Sequence, residues 1–309
     1  MVDNFKKKID GFQTALALIT APRVLHPSSQ DQEDQLSLKR VLTRISKLDE
    51  GRALIETLAE NNVQVLFDRQ YPCPGGCSAS MDFENVKDGM PTILSMYVAI
   101  NPNFLEHGED EMVGILLHEM WHVKQNLNGY VAATKATSVE DACFFELLLE
   151  ADAESFAMDA TYKLMQQGDT AAMDKYRDVF AVKNVYPKMI NLYPDEDVIG
   201  NGDARRMVFE FCFLNKSIRE FYHQVAINQW KITEALSNNQ TSKIMDMDFF
   251  TSISKLSKID YLNDKDVDLM KESYHKISPE NQLCISGAKA DVAQINAPTS
   301  KNSKPAKLG

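Results

Sequence analysis

The sequence predicts an α+β fold dominated by helices, with one small mixed or antiparallel sheet beside the helix that carries His118 and His122. Three observations lead there. Apolar residues recur at helical spacing over several long segments, as at Leu38, Val41, Leu42, Ile45 and Leu48. Only 63–67 and 93–100 read as strands, each bounded by turn residues. The longest apolar segments, around 110–128 and 138–168, are of helical length and carry acidic residues or a capping serine at their starts.

Taken in order, 3–20 and 31–60 read as helices separated by Pro22, Pro27 and Ser28-Ser29, and 63–67 as a strand followed by a Pro/Gly turn at 72–76. Residues 93–100 are the best strand candidate, stopped by Asn101-Pro102. Glu109, Asp110 and Glu111 crowd the start of the next helix, where its dipole favours negative charge, and Asn128-Gly129 ends it. Ser138, with Asp141 three residues on, opens a long helix that runs to Gly168. Further helices are expected at about 171–186, 203–236 and 264–276. The expected division is a helical region at 1–60, a catalytic domain at 61–285, and a disordered tail at 286–309, rich in Ala, Ser, Pro and Lys.

Composition narrows the function. The 309 residues carry a net charge of −11, and no dense basic block exists to displace counterions from phosphate, so nucleic acid is not an expected partner. No apolar run is long enough to span a bilayer. Lys6-Lys7-Lys8 before Ala15-Leu16-Ala17-Leu18-Ile19 only loosely mimics an export signal, because Asp10 and Gln13 interrupt it. The expected location is cytoplasmic, or outside by a route without a clear signal peptide. Five cysteines are too few and too scattered for a disulfide scaffold. Cys143 and Cys212 read as buried thiols, and Cys73 and Cys77 as a turn pair that could form a local disulfide or metal clip.

Residues 118–122 read His-Glu-Met-Trp-His. Histidines four apart on a helix stand one turn above each other, so both imidazoles can meet one ion. Glu119 is rotated by about 100° from His118, near that ion but off the ligand line, where it can take a proton from a water held there. Zinc suits such nitrogen donors and needs a third protein ligand. No further histidine follows at metzincin spacing, so a carboxylate on another helix is expected. Glu146, Glu150 and Glu154 share one face of the 138–168 helix beside Ala153 and Ala157, with Leu147, Leu148 and Leu149 arguing for burial. Glu150 is the expected ligand. Glu146 or Glu154 would be the alternative ligand or accept the outer N–H of a ligand histidine.

Leu116-Leu117-His118-Glu119-Met120-Trp121-His122 with Glu150-Ala151-Asp152-Ala153 resembles the glutamate-ligand branch of the zincin metallopeptidases. More narrowly, it is similar to a bacterial metallopeptidase family in which an Asn-Pro segment, here Asn101-Pro102, precedes the HExxH helix and an E-A-D-A stretch follows. The resemblance covers about residues 93–160. It implies a zincin-like core with one Zn2+ per chain and a peptide or protein substrate lying along an edge strand. The expected substrate strand is 93–100, with Met96, Tyr97 and Val98 at its centre. Expected oxyanion donors are Tyr130, His223 and Tyr261, with Tyr222 a further candidate. Two other functions stay open on the sequence: a helical interaction or effector protein with a structural or degenerate metal site, and a metallohydrolase acting on non-peptide amides.

Overall fold

The computed structural model describes residues 2–20, 29–87, 90–130, 138–177, 202–236, 252–256, 261–274 and 276–295. Helices α1 (Val2–Ile19), α2 (Ser29–Ile45) and α3 (Asp49–Glu60) precede strands β1 (Gln64–Phe67), β2 (Gly75–Lys87) and β3 (Met90–Ile100). Helices α4 (Glu109–Leu127), α5 (Val139–Gln166), α6 (Thr170–Tyr176), α7 (Asp203–Leu214) and α8 (Lys216–Leu236) follow. The chain then forms α9 (Asp264–Tyr274) and α10 (Pro279–Ile295). The fold is α+β and helix-dominated, with a three-stranded mixed sheet of order β1-β3-β2.

Two expected helices are each divided in two. The 31–60 segment breaks at Leu48, whose backbone is extended, and Asp49 and Glu50 open the first turn of α3. The 203–236 segment breaks at Asn215, whose Oδ1 accepts the N–H groups of Ser217 and Ile218 at 3.0 and 3.2 Å and so caps α8. The expected disordered tail is also corrected in part. Residues 286–295 continue α10, which buries Ile285, Ala288 and Val292 and packs beside α8. Residues 178–186 of the expected 171–186 helix, residues 296–309 of the tail, His26 and His275 lie outside the described residues.

Strand β2 was not expected at all. It pairs antiparallel with β3 from Gly75↔Ile100 to Lys87↔Met90, while β1 pairs parallel with β3 from Gln64↔Tyr97 to Phe67↔Ile100. The expected substrate strand is therefore the middle of the sheet. Tyr97 and Val98 have strand neighbours on both sides, so no extended peptide can add there. Met96 pairs with Ala79 and packs against the core.

Helix α5 is buried along most of its length, as its apolar character on all sides requires. Its C-terminal half shares one core with α1–α4, β1, β3, α6 and α7, through residues such as Ile45, Ile55, Val98, Leu117, Phe156 and Val208. Its N-terminal half packs with α7, α8 and α9 through Phe145, Phe209, Phe213, Ile218 and Met270. Four charged side chains tie α3, α5 and α7 together: Arg205 Nε donates to Asp159 Oδ2 at 2.7 Å, and Glu50 lies 3.2 Å from Arg205 and 3.1 Å from Lys163. Arg44 adds bonds to Asp110 and Asp169, both at 2.8 Å.

Candidate metal centre

Helix α4 presents His118, Glu119 and His122 to a cleft of about 700 Å³ whose facing walls are β2, α5 and α8. The helix can sit this close because of two glycines. A β-carbon at Gly114 would fall 2.1 Å from the Tyr176 ring, and one at Gly75 would fall 2.6 Å from Ile115 Cγ2. Tyr176 is thereby seated on α4 with its hydroxyl in the field of Glu154, and burial raises its pKa well above the usual tyrosine value.

Three donors converge. His118 Nε2 and His122 Nε2 are 3.0 Å apart, Glu150 Oε2 is 3.2 Å from His118 Nε2, and Glu150 Oε1 is 3.4 Å from His122 Nε2. Among the described residues, these three form a group whose ligand atoms could hold one metal ion. Glu154 Oε2 lies 3.1 Å from His118 Nδ1, on the side of the ring away from the convergence point. Glu146, one turn earlier on α5, lines the cleft and accepts from Gln229 Nε2 at 3.3 Å.

The electrostatics follow from burying charges of opposite sign together. Burial alone would lower the pKa of His118, but bonds to Glu150 and Glu154 outweigh it and hold the imidazole well above 6.5. His122 is raised by the Glu150 charge against the same burial cost. Burial would raise Glu150, yet the two histidines hold it far below the carboxylate range. Glu119 behaves differently. Burial pushes its carboxyl up, and the neighbouring histidines and the Cys77 N–H only partly reverse that. It is 8% exposed and stands beside the donor triangle as a carboxyl with a raised proton affinity.

The remaining expected donors are placed elsewhere. Tyr130 shares a 2.6 Å hydrogen bond with Ser252, Tyr261 donates to Asp152 Oδ1 at 2.5 Å, and His223 is buried, its pKa pushed down to about 4 by burial and by Arg219. None of the three lines the cleft, so their assignment as oxyanion donors is corrected. Tyr222 does line it, and burial with the nearby Glu150 charge holds its hydroxyl pKa well above the usual tyrosine value. Cys73 and Cys77 are free thiols. Cys73 donates to the Gly75 carbonyl at 3.0 Å, and Cys77 accepts from Asn126 Nδ2 at 3.3 Å, so no local disulfide forms. Burial and the Glu119 charge push the Cys77 thiol up to about 12. Cys143 and Cys212 are buried thiols.

Sequence reasoning missed the β2 wall and Gln125. The β2 signal was present: Cys77, Ala79, Met81 and Phe83 alternate with Ser78, Ser80, Asp82 and Glu84. Gln125 carries no such signal.

No helix among the described residues is long and apolar enough to cross a membrane. No curated protein and no solved structure matches the chain. Residues 100–262, more than half of the chain, match the family described as "Putative metallopeptidase family (DUF6782)". That span holds all three converging donors, Glu119 and Tyr222, and the chain belongs to this metallopeptidase family.

Proposed function

We propose that the protein is a zinc-dependent peptidase in which His118, His122 and Glu150 hold the ion and Glu119 is the general base. The observation that carries this reading is the donor triangle. Tetrahedral zinc with donors at about 2.0–2.1 Å separates those donors by about 3.3–3.4 Å; the two imidazole Nε2 atoms are 3.0 Å apart, and the Glu150 carboxylate straddles them, with Oε2 3.2 Å from His118 and Oε1 3.4 Å from His122, close to that spacing. Two imidazoles and one carboxylate are zinc-type donors, and three protein ligands are the number a catalytic site uses.

When bound, zinc supplies Lewis acidity, which brings a water's pKa toward neutrality and polarises a scissile carbonyl. Glu119 accepts the proton that such a water loses and returns it to the leaving nitrogen, a role suited to a carboxyl whose pKa burial has raised. Among the cleft hydroxyls, Tyr71 is paired with Ser78 and Tyr176 is buried against α4, which leaves Tyr222 to donate to the carbonyl oxygen as charge develops there. Strand β2 orients the peptide. Its side opposite β3 carries the Gly75 carbonyl, which Cys73 bonds, and the Cys77 N–H, which lowers the pKa of the neighbouring Glu119, and Gly75 to Ala79 line the cleft, so this edge faces it. An extended chain can add along Gly75–Ala79 and set its carbonyl beside Glu119.

The test is elemental analysis of the purified protein and its Glu119→Gln variant, with both assayed on a mixed peptide library. One zinc per chain in both, with cleavage by the wild type alone, is the expected result. Absence of metal from protein prepared without chelators would overturn the reading.

A further inference from the structure

The hydrogen bonds behind His122 fix which of its nitrogens carries the proton. Gln125, one turn further along α4 and fully buried, makes three of them. Its Nε2 donates to the Leu149 carbonyl at 3.0 Å and to Asp152 Oδ2 at 2.8 Å. A backbone carbonyl can only accept, so this end of the amide must be the NH2 group and the orientation of Gln125 is not free. Its Oε1 therefore faces His122 Nδ1 at 2.7 Å. An amide oxygen can only accept as well, so His122 must donate from Nδ1. Neutral imidazole carries one N–H, which leaves a lone pair on Nε2, the atom that meets His118 and Glu150.

Asp152 holds the other end of this relay. Its Oδ2 also accepts from Trp121 Nε1 at 2.6 Å, and its Oδ1 accepts from Tyr261 at 2.5 Å. All four side chains are at most 4% exposed. Trp121 is itself fixed by stacking on Phe156, with ring centroids 4.0 Å apart. The relay thus draws on α4, α5 and the segment before α9, and Tyr261 is the next-to-last residue of the family-matched span.

We propose that Gln125 and Asp152 are positioning residues that lock His122 in the Nδ1–H tautomer, with Nε2 presented to the ion. This rests on the zinc reading for its purpose, but not for its geometry. Asp152 is the second acidic residue of the Glu150-Ala151-Asp152-Ala153 stretch, so the stretch supplies a metal donor and, two residues later, the anchor for a different donor on the neighbouring helix.

The experiment is a long-range 1H–15N spectrum of the metal-free full chain at alkaline pH, with zinc affinity from chelator competition, on the wild type and on Gln125→Met, which keeps the volume and removes every bond. Wild-type His122 should be protonated on Nδ1. Gln125→Met should give a mixture of tautomers and bind zinc roughly 10–100-fold more weakly, and Asp152→Asn should lie between them. An Nε2–H tautomer in the wild type overturns the proposal, as does a folded Gln125→Met protein with zinc affinity within about twofold of wild type. If Gln125→Met fails to fold, the wild-type tautomer still decides. If the wild type binds no zinc, the peptidase reading fails, while the tautomer continues to test the relay.

Discussion

Gly75 and Glu119 touch: a β-carbon on residue 75 would stand 3.2 Å from both Cγ and Oε1 of Glu119. The strand that walls the cleft is thus placed by the same contact that packs the proposed general base. Gly75→Ala should lower peptide cleavage at least tenfold, because the alanine methyl would displace Glu119 or Ile115 and cost about 1–3 kcal/mol of strain. Zinc content should be unchanged. Steady-state kinetics with elemental analysis checks this, and wild-type activity in the alanine variant would refute the close approach.

Tyr222→Phe should lower kcat by roughly 10²–10³, the loss typical of one oxyanion donor, with little change in KM. Tyr261→Phe should have a different signature, weaker zinc binding, because its hydroxyl reaches Asp152 and not the cleft. Comparing the two variants in kinetics and in metal titration separates the roles.

Zinc uptake should release about one proton per chain near neutral pH. In the metal-free protein the His118 pKa is raised above 6.5 and that of Glu150 is depressed below 4.5. A raised histidine adds stability that is complete below 6.5 and lost as pH rises through the folded value. A depressed carboxylate adds stability that is present above 4.5 and lost as pH falls through its folded value. The metal-free protein should therefore gain most from this cluster between 4.5 and 6.5, and zinc affinity should strengthen as pH rises. Calorimetry in two buffers of different ionisation enthalpy measures the proton count. Zero release would mean that His118 is neutral before the ion binds.

Arg205→Met should destabilise the fold by up to about 3–5 kcal/mol, since it removes the buried cation that Asp159 meets at 2.7 Å and leaves that carboxylate only the part-exposed Lys163 at 2.9 Å. Arg205 is 1% exposed and also lies over Trp121 and Phe156 at 5.9 and 5.1 Å. Denaturant unfolding of the single variant and of Arg205→Met/Asp159→Leu checks the reason. The double variant should recover much of the loss, because it removes the carboxylate left short of buried positive charge.

Much of the site was readable because its geometry is local. His118, Glu119 and His122 lie within one turn and a half of one helix, where sequence spacing sets direction. The face shared by Glu146, Glu150 and Glu154 was readable for the same reason, and the structure separates their surroundings: a donor triangle for Glu150, His118 Nδ1 for Glu154, Gln229 for Glu146. Strand order is not local. The apolar run at 93–100 looks the same whether β3 is an edge or a centre, and only its pairing with both β1 and β2 decides. The choice among Tyr130, Tyr222 and Tyr261 likewise depended on how helices distant in sequence come together. Gln125 was invisible because an amide becomes informative only when its partners are known.

The core shared by α1, α2 and α3 with α4 bears on where this protein can be cut. The span 100–262 contains the three converging residues and the proposed general base, and would look like a sufficient gene fragment. Expressed alone, it would lack the strand that seats Glu119, the neighbours that cover Val113, Leu117 and Met120, and the carboxylate that meets Arg205 and Lys163. The proposed chemistry is encoded in one half of the chain, and the rigidity that would make it usable comes from the other.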